Sequence, residues 1–277
     1  MPTLDELTGA VLAEGRPVDL AGAVRRAGDE NVVLETPDWI YRFPKEGIDF
    51  EREMRLLDAL HGRVPVATPK VEWIGEKTRF CAYRKIKGWQ WDRRAYQTAS
   101  RSSQRTLAGS LAEYLAAIHQ ALTEEEIASV GVPDFFTLEQ RAGLIRFDAV
   151  PTEVHAEVEE LIARAQHIGA RVSGRMLLHD DFTTDNLAFD GEMGRLCGVW
   201  DFSHSSVGPA SFDFRYLTYE PDPLTADVVH EYERITGAEI DQEAFVVATR
   251  VADVLRQIRR GGPDDIVSTV RTWKADA

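Results

Sequence analysis

The chain has little cysteine, no long apolar run and no excess of basic charge, and each absence removes a class of protein. Only two of its 277 residues are cysteines, Cys81 and Cys197, both within apolar, strand-like segments. A disulfide scaffold needs more and closer cysteines, so the pair reads as two buried, reduced thiols of a cytoplasmic protein. No apolar run approaches the ~18 residues needed to span a bilayer. The acidic start MPTLDELTGAVLAEG has no basic stretch followed by an apolar one, so neither a membrane span nor a secretory leader is expected. Lys and Arg total 32 against 46 Asp and Glu, a net charge of −14. That balance lacks the basic footprint of a nucleic-acid binder. It suits a cationic partner, although solubility explains it at least as well. Internal repeats and low-complexity tracts are missing too, which leaves a globular chain long enough for one large or two modest domains.

What is present is a change of periodicity along the chain. Leu4, Leu7 and Val11, spaced by three and four, predict a helix over 4–13. The segments 27–35 and 38–45 read as strands around a Thr-Pro-Asp turn. Val32 and Leu34 alternate on the first, while Trp39, Tyr41 and Phe43 share one face of the second and leave Ile40 and Arg42 on the other. Phe50, Met54, Leu57 and Leu60 mark a helix that also carries Glu53, and two further strand-like segments follow before Gly88. From residue 103 the pattern turns helical. Leu107, Leu111, Tyr114, Leu115, Ile118 and Leu122 form one stripe, and Val154, Val158, Leu161, Ile162 and Ala165 another. Short strands at 187–189 and 196–200 flank a hairpin turn over Asp190–Gly194, and 223–236, 241–260 and 263–274 read as helices. The fold class is therefore α+β. Residues 1–88 form a small antiparallel lobe with one crossing helix, and 89–277 a larger helical lobe with a short hairpin.

Two segments carry chemistry, HDDFTTDN (179–186) and GVWDFS (198–203). Together they bring two carboxylates, Asp181 and Asp201, and one amide oxygen, Asn186. Phosphoryl transfer needs such a set, with one group to orient or deprotonate a hydroxyl and two to hold a hard cation. The plainer reading is a polar turn with capping Asp and Thr residues. A His-Asp metal phosphohydrolase is set aside because no second His-Asp pair lies on a helix.

In this order the segments GDEN (28–31), WIYRFPK (39–45), REMRLLDAL (52–60), VPVATPKVEWIG (64–75), YRKIKG (83–88), HDDFTTDN, GVWDFS and VGPASFDF (207–214) resemble the aminoglycoside phosphotransferases of the protein-kinase-like superfamily. Among its branches the pattern is most similar to the 2″-phosphotransferases. The resemblance implies a protein-kinase-like bilobal fold, a monomer, and transfer of a phosphoryl group from ATP or GTP, with Mg2+, to a small-molecule hydroxyl. An aminoglycoside is the leading acceptor. Asp181 would orient that hydroxyl, His179 would brace its loop from beneath, and Asn186 and Asp201 would hold Mg2+. Glu53 would pair with a cation on the preceding strand, the backbone of Arg84 and Ile86 would bond the purine, and Gly28 would start the turn over the phosphates. Asp213 would brace the loop from the next helix.

The sequence departs from the family pattern at Arg42, at Ser203 and His204, and at Val207-Gly208-Pro209, which stands where the usual Asp before Pro-x-x-Asp is missing. Arg42 stands where the family has its phosphate-binding lysine, with Lys45 three residues on, so either side chain is a candidate for the phosphates. Ser203 and His204 replace a glycine and an acid. On the acceptor side, Asp213, Glu220, Asp222, Asp227 and Glu231 are candidates to line a cleft for ammonium groups, although each singly reads more readily as a helix-surface charge. Trp89 and Trp91 read as linker packing rather than a ligand stack. Two alternatives stay open. One is a kinase for another hydroxyl compound such as a macrolide, choline or a sugar. The other, prompted by Arg42 and the single-glycine turn, is a nucleotide-binding interaction module without catalysis.

Overall fold

Strand alternation sets the two faces of the N-terminal sheet. In the computed structural model, which describes residues 1–275 except 29, 192, 193, 261 and 262, the strands are β1 (Val24–Ala27), β2 (Asn31–Glu35), β3 (Trp39–Pro44), β4 (Val71–Ile74) and β5 (Cys81–Arg84). They form one antiparallel sheet in the order β1-β2-β3-β5-β4. Leu34, Tyr41 and Phe43 pack with Trp73 and Phe80 beneath Leu7 and Val11 of α1 (Leu4–Ala13), whose first turn is closed by a Thr3–Glu6 capping box. Arg42, one residue out of phase, is buried on the opposite face.

Edge strand β1 has no counterpart among the predicted elements. Its residues, Val-Arg-Arg-Ala, are mostly exposed and carry no apolar alternation, the usual way an edge strand avoids pairing with another chain.

Helix α2 (Phe50–Leu60), capped by Asp49, buries Phe50, Met54, Leu57 and Leu60 as the spacing predicts, and also Arg52 and Glu53. Its apolar face does not stop at the sheet. It joins a core that includes Leu107, Leu111 and Tyr114 of α4 (Arg101–Ile118), so buried side chains run without a break from the small lobe into the large one. Between them the chain turns through α3 (Arg93–Thr98), and α5 (Glu124–Val130) and α6 (Leu138–Gly143) follow α4. A second core holds α7 (His155–Gly169) against the later helices α9 (Gln242–Arg260) and α10 (Pro263–Ala275), while α8 (Leu224–Thr236) packs on α4.

Two small ladders sit between these helices. Strands β7 (Leu187–Phe189) and β8 (Leu196–Val199) form the expected hairpin, closed by Asp190 N to Arg195 O at 3.0 Å. Its turn residues 192 and 193 lie outside the described residues, as does Asp29 of the GDEN turn. The other ladder, β6 (Met176–Leu178) with β9 (Ser206–Gly208), has no sequence signal. Three apolar residues have no period of their own, and the pairing is made between segments far apart in the chain.

The linker lies on the hairpin. Trp89 and Phe189 exchange backbone bonds at 2.8 and 3.0 Å, and Trp91 packs on Tyr96 and Phe189 and donates to Glu220. Trp91 thus packs as expected, while Trp89 is exposed. Gly88 is required here, because a Cβ would stand 2.7 Å from Ala188 Cβ and 2.9 Å from the Phe189 carbonyl. Gly88→Ala is expected to cost about 1–3 kcal/mol through overpacking, read as a lower denaturation midpoint at unchanged m-value; a midpoint equal to wild type would mean that the linker moves freely off the hairpin.

Candidate active site

The 179–186 segment leaves β6 as a loop that water cannot shape, because its backbone is fixed from below by a buried carboxylate. Asp213, in the 3₁₀ segment Ala210–Tyr219, is 1% exposed and accepts from His179 N–H at 2.9 Å and Asp180 N–H at 2.8 Å. Its Oδ2 also meets His119 Nε2 at 3.1 Å, and the other ring nitrogen of His119 meets the Tyr232 hydroxyl at 2.8 Å. Burial alone would raise the Asp213 carboxyl. The hydrogen bond and charge of His119, with further help from His179 and the Asp180 N–H, hold it below the ordinary aspartate value.

His179 is fully buried, and its ring is oriented by two bonds. Asp181 N–H donates to Nδ1 at 3.3 Å, so the proton sits on Nε2 and is given to the Trp200 carbonyl at 3.1 Å. Asp180 adopts φ of 61° and Asp201 φ of 65°, left-handed backbone that is uncommon outside glycine. Asp180 is held there by Arg215 Nη2 at 2.7 Å and by the Ser206 hydroxyl at 2.9 Å. Ser206 lies on β9, so the unforeseen ladder supplies part of the support.

Above this floor stand the three oxygen-bearing side chains. Asn186 Nδ2 donates to Asp181 Oδ2 at 2.9 Å and to the Asp181 carbonyl at 3.0 Å. Two acceptors on that side fix the amide orientation and leave its oxygen for a cation. Asp201 accepts from the Ser203 hydroxyl at 2.9 Å and from Arg42 Nη2 at 3.3 Å. Burial raises the Asp181 carboxyl above its ordinary value; the nearby histidines oppose the shift and the Asp201 carboxylate adds to it.

Among the described residues, no three His, Cys, Asp or Glu side chains cluster tightly enough to hold a metal by themselves. An amide oxygen and a carboxylate do suit Mg2+, which retains water and takes phosphate oxygens as further ligands.

Arg42 reaches the site from the sheet. Its guanidinium pairs with Glu53 on α2 and with Asp201, both through buried or half-buried groups. Burial would lower the Arg42 pKa, but these two carboxylates more than offset it and keep the side chain a cation. Arg42 therefore occupies the strand-to-helix pairing position, whereas Lys45 Nζ donates to the Gly28 carbonyl at 2.6 Å and fastens the GDEN turn. Arg52, also on α2, donates to the Ser203 and Ser205 carbonyls, tying that helix to the segment after Asp201.

A cleft of about 560 Å³ brings together Gly28, Arg42, Asp181 and Asp201. Tyr83 lines it at the inter-lobe hinge. Just beyond it, the Arg84 side chain stacks on Trp39 at 4.1 Å and the Ile86 side chain packs against Gly198, so what these two residues can offer a purine is their backbone. The cleft also contains Tyr216 and Arg259, which carried no sequence signal, together with Glu30 of the GDEN segment and His204. Glu30 and His204 meet at 3.1 Å, a pairing between segments 174 positions apart that spacing cannot announce.

The sequence profile of the phosphotransferase enzyme family matches residues 23–264. The chain belongs to this family. No curated protein matches it. Solved structures of similar fold include the GDP and kanamycin complex of APH(2″)-IIIa, 21% identical with a TM-score of 0.81, covering 98% of this chain and 97% of the other. The streptomycin–ATP ternary complex of APH(2″)-IIa is 19% identical with a TM-score of 0.68, covering 98% and 96%. A type I macrolide 2′-phosphotransferase is also 19% identical with a TM-score of 0.68, covering 98% and 97%. The fold is thus the kinase-like one that the motif order implied.

Within this phosphotransferase framework, the acids expected to face an acceptor are largely engaged elsewhere. Asp213 is beneath the loop and sealed from the cleft, so it braces and does not contact an acceptor. Glu220 accepts from Trp91 Nε1 and the Thr184 hydroxyl, both at 2.9 Å. Asp227 is clamped by Arg101, and Glu231 by Arg234 at 2.8 Å. Asp222 is exposed and does not line the cleft. These acids are held because the helical lobe supplies an arginine or a ring N–H for most of them.

Asp213→Ala is expected to destabilise the enzyme by about 3–5 kcal/mol, since it strips two buried N–H groups and His119 of their acceptor. The lowered Asp213 carboxyl also gives a sign. Its stabilisation is complete above the unfolded aspartate value of ~3.9 and is lost as pH falls toward the lower folded value. Acid unfolding followed by circular dichroism should therefore be less pH-dependent over that range in Asp213→Asn than in wild type.

Proposed function

We propose that the protein transfers the terminal phosphoryl group of a nucleoside triphosphate to a hydroxyl of a small, polyhydroxylated molecule. One observation carries this reading: Asp181 and Asp201 line a single cleft, with Asn186 bonded to Asp181, opposite a sheet that contributes Arg42 paired with Glu53. Family membership supports it, as do similar structures that hold GDP or ATP and are named for aminoglycoside or macrolide acceptors. Aminoglycosides and macrolides share closely spaced hydroxyls, which is the property the proposed acceptor retains.

Asp181 acts on the acceptor. Its carboxylate orients the hydroxyl for in-line attack and takes its proton as the bond to phosphorus forms. Asn186 holds one Asp181 oxygen by its amide N–H, so the carboxylate presents a fixed edge to the acceptor. Asn186 Oδ1 and Asp201 would hold Mg2+, which when bound neutralises charge on the transferring phosphate. Arg42 supplies the fixed positive charge for the donor phosphates, and its bidentate fork is held in place by Glu53. His179 positions Asp181 through the Asp181 N–H.

Residues 1–88 serve as the nucleotide-binding lobe and 89–277 as the catalytic and acceptor lobe. Base, cation ligands and cleft all come from one chain, so the reading needs no second subunit. Cys81 and Cys197 are unpaired, and no described helix is long and apolar enough to cross a membrane. A reducing, cytoplasmic setting fits both observations.

Asp181→Asn should lower kcat by about 10²–10⁴-fold, the usual worth of a positioned base, while nucleotide binding by calorimetry is retained. Near-native turnover would sink the assignment. In the wild type, kcat/KM should fall as pH drops through a value above the free aspartate range of ~3.9, because the raised Asp181 carboxyl must be ionised to accept a proton. A pH profile whose acidic limb disappears in Asp181→Asn identifies that group; a limb that persists assigns it to another residue.

A further inference from the structure

We infer that the acceptor carries an anionic group, a carboxylate or a phosphate, recognised by Arg259 beside Tyr216. The inference rests on the phosphotransferase reading above and names the acceptor class within it. The charged side chains lining the cleft are Glu30, Arg42, Asp181, Asp201, His204 and Arg259. Arg42 is committed to Glu53 and Asp201, and Glu30 to His204. Asp181 is held by Asn186 and serves the reacting hydroxyl. Among the described residues, Arg259 alone of this set has neither a hydrogen bond nor an ion pair.

Arg259 is exposed, so its guanidinium is open to a ligand in the cleft. Burial lowers the pKa of Arg141, and the positive charges of Arg215 and Arg259 act in the same direction, which places Arg259 within electrostatic reach of the Arg141 guanidinium. The Arg215 and Arg141 charges are answered by Asp180, at 2.7 and 3.4 Å. Next along α9, Arg256 is answered by Asp253. No carboxylate among the described residues answers Arg259. An anion entering the cleft would relieve this repulsion, and a guanidinium fork is matched in shape to carboxylate and phosphate oxygens.

The position favours the acceptor over the donor. Arg259 sits in the last turn of α9, which is bonded to the Ala210–Tyr219 segment through Thr249 Oγ1 and the Arg215 carbonyl at 2.7 Å. Tyr216, half-buried on that segment, lines the cleft with Arg259. Both belong to the helical lobe. The groups read as serving the donor, Gly28, Arg42 and Tyr83, belong to the sheet or its turn. The acids that could have received ammonium groups are sealed, paired or outside the cleft, so the charge left over on this side is positive.

The test is calorimetric binding of a matched set to the full chain saturated with a non-hydrolysable ATP analogue and magnesium. The set is glucose 6-phosphate, gluconate, glucose, glucosamine and kanamycin. The expected result is that at least one anionic member binds about tenfold or more tightly than glucose and the two cations. Arg259→Ala should abolish that preference and Arg259→Lys restore part of it, with affinity for the ATP analogue unchanged in both. No preference for an anion, including no binding by any of the set, overturns the inference. So does a loss confined to the ATP analogue, which would assign Arg259 to the donor phosphates. Turnover separates this inference from the reading beneath it. Asp181-dependent phosphorylation of kanamycin or glucosamine, but of no anion, leaves a phosphotransferase with the wrong acceptor class. Anion-selective binding with no Asp181-dependent transfer to any acceptor counts against the reading and leaves the anion site standing.

Discussion

The interaction on which the rest of the site depends is the buried carboxylate of Asp213. A charge removed from water this completely survives only when its oxygens are saturated with donors. Two of the donors are consecutive backbone N–H groups of His179 and Asp180, and a third is the ring of His119 on a distant helix. Satisfying Asp213 therefore fixes the backbone at the root of the loop. The left-handed turn at Asp180 follows, then the direction in which Asp181 leaves, and then the two bonds from Asn186 that hold the carboxylate in place. A group remote from any substrate sets the geometry of the one that meets it.

The second constraint is charge balance across the cleft. Arg42 enters from the sheet, Glu53 from α2 and Asp201 from the segment after β8, and neither of the buried pair, Arg42 and Glu53, would be tolerated alone at its depth. Their meeting forces the two lobes into one arrangement, and Arg52 reinforces it by reaching the Ser203 and Ser205 carbonyls from the same helix. The continuous core between the sheet helix and α4 supplies the apolar part of that attachment. The helical lobe then consumes its acids in pairs with arginines and ring N–H groups. The cleft is left with the Asp181 and Asp201 carboxylates, with Asn186 bonded to Asp181, and one unpaired arginine.

Much of this is legible in residue spacing alone. Helices over 4–13 and 50–60 follow from spacings of three and four, and the alternation in 39–45 correctly separates Tyr41 and Phe43 from Arg42. The order of motifs implies the fold, and the fixed spacing of His179, Asp181 and Asn186 marks the loop. Other features leave no trace. Strand β1 has no apolar period because it is an edge, and β6 with β9 is too short to have one. Asp213 reads both as a brace and as an acceptor contact, since a carboxylate looks the same whether sealed under a loop or open to a cleft. Arg259 looks like one of several arginines near the end of an amphipathic helix.

By itself, the sequence determined the elements whose pattern is local, the kinase-like order of segments and the chemical types available for phosphoryl transfer. These depend on residue spacing, which the chain carries openly. Only the tertiary structure decided which of two cations pairs with Glu53, which acids are spent on structure, and which charge is left facing the cleft. Those outcomes depend on partners tens to hundreds of residues apart, as with Arg42 and Asp201 or His119 and Asp213. A charge acquires its role from what neutralises it, and that neighbour is chosen by the fold.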